Sequence, residues 1–132
     1  MKLVYPAIFS PAEEGGFCVS VPDLPGCVTE GDDLAEAIYM ATDAASGWIL
    51  DELEDGKAIP PASDPLSVHT DESDEFVSVI VLDMDAYAEK YGSKAVRKNL
   101  TVPAWLNTFA EKQGINFSKV LTDALTKMYQ QA

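Results

Sequence analysis

The stretch Phe17-Cys18-Val19-Ser20-Val21-Pro22-Asp23-Leu24-Pro25-Gly26-Cys27-Val28-Thr29-Glu30-Gly31-Asp32-Asp33-Leu34 changes its hydrophobic period part-way along. Up to Val21, the apolar residues Phe17, Val19 and Val21 alternate with Cys18 and Ser20, as in a strand with one covered face. Pro22 to Gly26 is a turn, and Cys27-Val28-Thr29-Glu30 reads as a short further strand. Beyond it, Leu34, Ala37, Ile38, Ala41, Ala45, Trp48 and Ile49 mark one face of a helix. Asp32 or Asp33 can cap its start and Gly56 can end it, which predicts a helix over about residues 33–55. Strands followed by a helix long enough to cover a small sheet make an α+β unit.

Working outward, residues 2–9 predict a strand, and Pro6 marks it as an edge or bulged one. Ser10 to Gly16, with Pro11, Glu13, Glu14, Gly15 and Gly16, is a turn. Pro60, Pro61, Ser63 and Pro65 make a loop. Phe76-Val77-Ser78-Val79-Ile80-Val81-Leu82, the most apolar run, reads as a strand covered on both faces. Met84 to Tyr91 reads as a short helix, and Gly92-Ser93 as a boundary. The first unit, residues 1–92, is thus an antiparallel sheet backed on one face by a helix.

The last 40 residues, 93–132, follow other rules. Val96 to Val102 reads as a strand, its alternation weakened by Lys98. Pro103 suits the first position of a helix carrying Trp105, Leu106, Phe109 and Ala110, and Gly114 suits its left-handed stop. Asn116 can cap a second helix, with Ile115 stapled on Val120. In that helix Phe117, Val120, Leu121, Ala124, Leu125 and Met128 hold the clearest helical period of the chain.

Charge divides at the same boundary. The 132 residues suit one domain, or one with an appendage, and carry a net charge of -13. Residues 1–92 hold 20 acidic and 3 basic residues, a net of -17, whereas residues 93–132 hold 6 basic and 2 acidic, a net of +4. An acidic body draws a basic partner, and a basic appendage can neutralise phosphates. A hydrophobic content of 47% places the chain among globular proteins rather than disordered acidic tails. No stretch nears the roughly 20 apolar residues that span a bilayer, and Met1 to Pro6 lacks signal-peptide anatomy. Two cysteines are too few for a disulfide framework, so a cytoplasmic location is expected. Cys18 is expected to pack and Cys27 to be partly exposed.

A strand and two helices in about 40 residues cannot hide their apolar faces alone. Residues 93–132 contain no cysteine or histidine to staple them. Pairing the strand with its twin across a two-fold axis satisfies its backbone and gives a two-stranded ribbon over four helices. Leu100 and Val102 then point inward, and Arg97, Asn99 and Thr101 outward. Such a ribbon fits the major groove, where Arg suits guanine, Asn adenine, and Thr a hydrogen bond or a thymine methyl. Lys94, Lys98 and Lys119 can meet phosphates, as can the N-terminus of the helix begun by Asn116 and Ser118. The arrangement resembles the ribbon-helix-helix family of DNA-binding dimers, on Arg97-Lys98-Asn99-Leu100-Thr101-Val102-Pro103, the Gly114-Ile115-Asn116 turn and the final helical period. Lys98 departs from that pattern, where an inward apolar residue is usual.

The opening resembles the HicB family of antitoxins. The residues that carry this are Glu13-Glu14-Gly15-Gly16-Phe17, Val21 to Asp32, Leu34-Ala35-Glu36-Ala37, Trp48, Leu53-Glu54-Asp55-Gly56-Lys57 and Ile59-Pro60-Pro61. The resemblance implies a trimmed ribonuclease H-like N-terminal unit and a C-terminal ribbon-helix-helix dimerisation domain. It implies a HicA partner, a small basic toxin with a double-stranded-RNA-binding-like fold that cleaves mRNA through a histidine, and operator DNA of the antitoxin's own operon. Glu13, Glu14, Asp23, Asp32 and Asp33 are the candidates for toxin contact. Dimers can associate further into a tetramer through free sheet edges.

Enzyme constellations are weaker. A two-metal nuclease needs convergent carboxylates, and only Asp83 and Asp85 lie at the end of a core strand. His69 lies in a Pro/Ser/Asp-rich linker, and two cysteines and one histidine make no zinc motif. No cofactor motif is present, and the reading is a non-enzymatic one. Its rival is a stand-alone ribbon-helix-helix repressor whose acidic unit senses a ligand or a protein.

Overall fold

A computed structural model describes residues 1–132. They form β1 (Lys2–Pro11), β2 (Phe17–Ser20), β3 (Val28–Gly31), α1 (Leu34–Glu54), a 3-10 turn at Pro65–Ser67, β4 (Phe76–Asp83), α2 (Met84–Tyr91), α3 (Ala104–Lys112) and α4 (Phe117–Gln130). The chain divides into two compact units, Lys2–Ser93 and Lys94–Ala132.

In the first unit the strands form one antiparallel sheet in the order β3-β2-β1-β4. β1 is interior, not an edge. The β1–β2 ladder covers only Ile8 to Pro11, so at Pro6 the strand is paired on the β4 side alone, opposite Val79. A proline is tolerated where one neighbour is missing.

α1 starts as its sequence predicts. The Asp33 carboxylate accepts the Glu36 backbone N–H at 2.8 Å, so Asp33, and not Asp32, is the cap. The stop is a left-handed Gly56, with Lys57 N–H donating back to the Glu52 carbonyl at 2.9 Å. Ala37, Ala41, Ala45 and Ile49 are fully buried. They form the core with Tyr5, Ala7, Phe9, Val19, Ile80, Leu82 and Met84, and the Phe9 and Phe76 rings stack at 5.2 Å. Leu34 and Ile38, expected on this face, are instead exposed.

The apolar run of β4 is covered on one face only, contrary to expectation. Ile80 and Leu82 are buried, but Val79 and Val81 are 45% and 53% exposed. β4 is an edge strand, and the alternate side chains of a strand point to opposite faces. Val4, the register partner of Val81, is also exposed. The same alternation reverses the cysteine expectation. Val19 faces the core, so Cys18 points the other way and is exposed, while Cys27 is buried and burial pushes its thiol pKa up. Trp48 is half-buried, and its indole N–H donates to the Pro25 carbonyl at 3.0 Å, tying α1 to the β2–β3 connection.

In the second unit α3 and α4 form, but residues 92–103 have no regular secondary structure. The strand expected over 96–102 is thus absent from the single chain. A strand is held by a neighbour's backbone, and this unit has no other strand to offer. Pro103 lies one position earlier than expected, as the extended residue before α3. The α3–α4 turn is as predicted. Gly114 has φ +67°, its N–H donates to Glu111 and that of Ile115 to Ala110, which closes the helix end.

Candidate protein and nucleic-acid interfaces

Every residue predicted to meet DNA is exposed: Lys94, Arg97, Lys98, Asn99, Thr101, Asn116, Ser118 and Lys119. The structure brings only some of them together. Arg97, Lys98, Thr101 and Ser118 line one open cleft of about 1060 Å³ in the second unit, with Leu100, Val102 and Phe109 as apolar walls. Lys94, Asn99, Asn116 and Lys119 lie outside it. With no strand over 96–102, nothing in the single chain sets Arg97, Asn99 and Thr101 on a common face. Asn116 and Lys119 carry local duties. The Asn116 side-chain carbonyl accepts the Lys119 backbone N–H at 3.0 Å, and the Lys119 ammonium pairs with Asp123 at 2.9 Å.

The helices of this unit bury almost nothing. α4 has no buried residue, and α3 buries only Ala110. Trp105 is 74% exposed and Met128 66%, with Phe109, Val120 and Leu125 more than half exposed. A regular apolar stripe facing water is a feature that marks interaction surfaces in soluble proteins.

The toxin-contact candidates separate into two groups. Glu13 and Glu14 lie exposed in the β1–β2 turn, and Asp32 and Asp33 follow β3 at the same end of the sheet, where Phe17 pairs with Gly31. Asp23 is in the β2–β3 connection at the opposite end, half-buried, and both its oxygens hold Ser63. Asp33 is spent on capping α1. Asp83, at the end of the core strand β4, caps α2 by accepting the Ala86 N–H at 3.2 Å.

Two features escape sequence reasoning. Glu75, just before β4, accepts the Ser10 hydroxyl and the backbone N–H groups of Glu72 and Asp71. These bonds, the Ser10 one first, hold its carboxyl below the usual glutamate range. The second is a groove of about 310 Å³ lined by Tyr39, Asp43 and Ser46 of α1, Val81 and Asp83 of β4, and Tyr87, Lys90 and Tyr91 of α2. Its residues are too far apart in sequence to announce themselves. Gly47 in mid-helix is the one local signal, because a methyl there would sit 3.1 Å from the Tyr87 hydroxyl.

No helix is long and apolar enough to cross a membrane. An acidic sheet-and-helix unit, followed by a basic unit whose two helices leave their apolar faces open, has the make-up of a binding protein. Residues 5–124 match the HicB-like antitoxins of bacterial toxin–antitoxin systems, and the chain belongs to that family of non-enzymatic binding proteins. It is 36% identical over 104 residues to a 14.9 kDa protein of the rep-hol intergenic region of Haemophilus phage HP1 (strain HP1c1), covering 79% of this chain and 76% of that one. Antitoxin HicB of Escherichia coli (strain K12) is 40% identical over 75 residues, covering 57% of this chain; the match spans about half, 51%, of that relative's length. Among solved structures, a chain of the toxin–antitoxin complex from Streptococcus pneumoniae superposes with a TM-score of 0.62 at 26% identity, covering 97% of this chain and 99% of that one.

Proposed function

We propose that this chain is the antitoxin of a HicA/HicB-type pair with two separate binding tasks. Residues 1–92 capture a HicA-like toxin by steric and electrostatic masking. Residues 93–132 pair with a second copy as a ribbon-helix-helix dimer that reads operator DNA and represses the operon. The observation that carries the second task is the continuous apolar face of α3 and α4, left open beside a segment, 96–102, that has no ladder of its own. A twin chain supplies both the missing strand partner and the missing cover. In that dimer Arg97, Asn99 and Thr101 face the major groove, while Lys94, Lys98 and Ser118 meet phosphates.

The first task is supported by family membership, by the -17 balance of residues 1–92 and by the likeness to a chain from a toxin–antitoxin complex. Charge of this kind speeds capture and orients the partner more than it sets final affinity. The test is a pair of readouts on one protein. Arg97→Ala or Asn99→Ala should weaken operator binding by about 1–3 kcal/mol and relax base preference, while co-purification with a co-expressed HicA-like toxin stays intact. Loss of both functions together, in a folded dimer, would overturn the two-task reading.

A further inference from the structure

Resting on the antitoxin reading, we infer that the groove between α1, α2 and the end of β4 receives an arginine side chain of the toxin as a central anchor of the complex. The Tyr87 and Tyr91 rings lie 4.6 Å apart, tilted by 42°, and form its aromatic wall. That wall already holds a cation, since the Lys90 ammonium sits 5.1 Å from the Tyr91 ring centroid. Tyr39 stands across on α1, beside Asp43. One oxygen of Asp83 is spent on the α2 cap, so Asp43 is the carboxylate best free to accept a guanidinium fork. A guanidinium stacks flat on an aromatic ring while its edge donates to a carboxylate, a combination that an ammonium cannot match.

Three further observations point the same way. The buried Ser46, 3% exposed, puts a hydroxyl-bearing residue at the groove. α1 keeps a glycine at position 47, against a helix-propensity cost of about 1 kcal/mol, where any side chain would press on the Tyr87 hydroxyl. Exposed Val81 lines the groove and continues into Val79 and Val4. Such an apolar apron excludes water around a buried anchor. Of the groove's lining, the Asp43 carboxylate supplies negative charge at neutral pH, which favours a cation there. Arg97, the only arginine of this chain, lines the open cleft of the second unit, and the guanidinium assigned to the groove is the toxin's.

The experiment measures the affinity of the full-length chain for a HicA-like toxin, with N-acetyl-arginine amide as a small probe of the tyrosine ring resonances. Asp43→Asn and Tyr91→Ala should each weaken toxin binding about five-fold. Lys90→Ala should strengthen it at least about two-fold by vacating the groove, while Lys57→Ala, with the same charge change but outside the groove, should not reproduce the gain. Misfolding cannot mimic a gain in affinity. N-acetyl-arginine amide should shift the Tyr87 and Tyr91 resonances. If the toxin binds the parent chain and all four variants alike, the groove assignment is overturned and the antitoxin reading stands. If the parent chain binds no toxin, the antitoxin reading itself fails and the inference with it. If the variants instead change self-association, the occupant is a second copy and the inference is overturned.

Discussion

Asp23 holds Ser63 by both carboxylate oxygens, Oδ2 accepting the backbone N–H at 2.8 Å and Oδ1 the hydroxyl at 2.6 Å. Three residues earlier, the Pro60 carbonyl accepts the Tyr5 hydroxyl at 2.6 Å. The loop after α1 is therefore strapped at two points, to β1 and to the β2–β3 connection. Burial, and after it the nearby Asp23 charge, raise the Tyr5 pKa and keep its hydroxyl a donor. Asp23→Ala should cost about 1 kcal/mol, read from urea midpoints, with faster hydrogen exchange at Ser63. Tyr5→Phe should cost a similar amount, and the double variant should lose less than the sum, because both bonds restrain one short segment. Strict additivity would mean that Pro60 and Ser63 are held independently.

Gly47 and Tyr87 form a second pair with a checkable consequence. Gly47→Ala in the parent protein gains helix propensity, but the new methyl meets the Tyr87 hydroxyl at 3.1 Å. In a Tyr87→Phe background that oxygen is gone. There Gly47→Ala should stabilise by about 0.5–1 kcal/mol, and in the parent by clearly less. Equal effects in the two backgrounds would show that Tyr87 gives way freely and that Gly47 serves another end.

Glu75 carries the acid-side prediction. Its folded carboxyl is held below the usual glutamate range by the Ser10 hydroxyl and two backbone N–H groups. A depressed folded pKa gives stability that is complete above the unfolded-state value and is lost as pH falls through the folded one. Glu75→Gln should therefore be less stable than the parent at neutral pH. The gap should close on acidification through the glutamate range, as read from denaturation midpoints against pH. A gap that stays constant with pH would mean that the bonds do not depend on the charge.

These residues also mark what the sequence could tell. The bounds of α1 follow from Asp33 and Gly56 because capping is local chemistry, and the turn at Gly114 follows for the same reason. The open face of β4 was not legible. A run such as Phe76 to Leu82 reports burial on average, while its second face depends on what the rest of the chain can place there. The strand expected over 96–102 is absent for a different reason: the second unit holds no other strand to pair with it. Charge and a turn or helix-start position do not separate Asp23, which holds Ser63, from the exposed Glu13, Glu14 and Asp32, whereas Asp33 is legible as one of two possible caps. The tyrosine groove needs residues 39, 43, 87 and 91 to meet, and only the tertiary fold joins them.

The apolar face of α4 gives the sharpest test of the two-unit design. Leu125 is more than half exposed in the single chain, and α4 buries no residue at all. In the proposed dimer the side chain is covered, and covering a leucine contributes about 1.5–3 kcal/mol per copy. Leu125→Glu removes that gain and places a charge in the interface, so dissociation should rise by orders of magnitude in sedimentation equilibrium. Operator binding should fall with it, because a monomer offers no paired ribbon to the groove. The sheet-and-helix unit has a core of its own, so its Phe9 and Phe76 ring signals and its toxin capture should persist. A variant that remains dimeric at micromolar concentration would place the second copy on a different surface. In that case the exposed β4 edge, with Val79 and Val81, is the surface to substitute next.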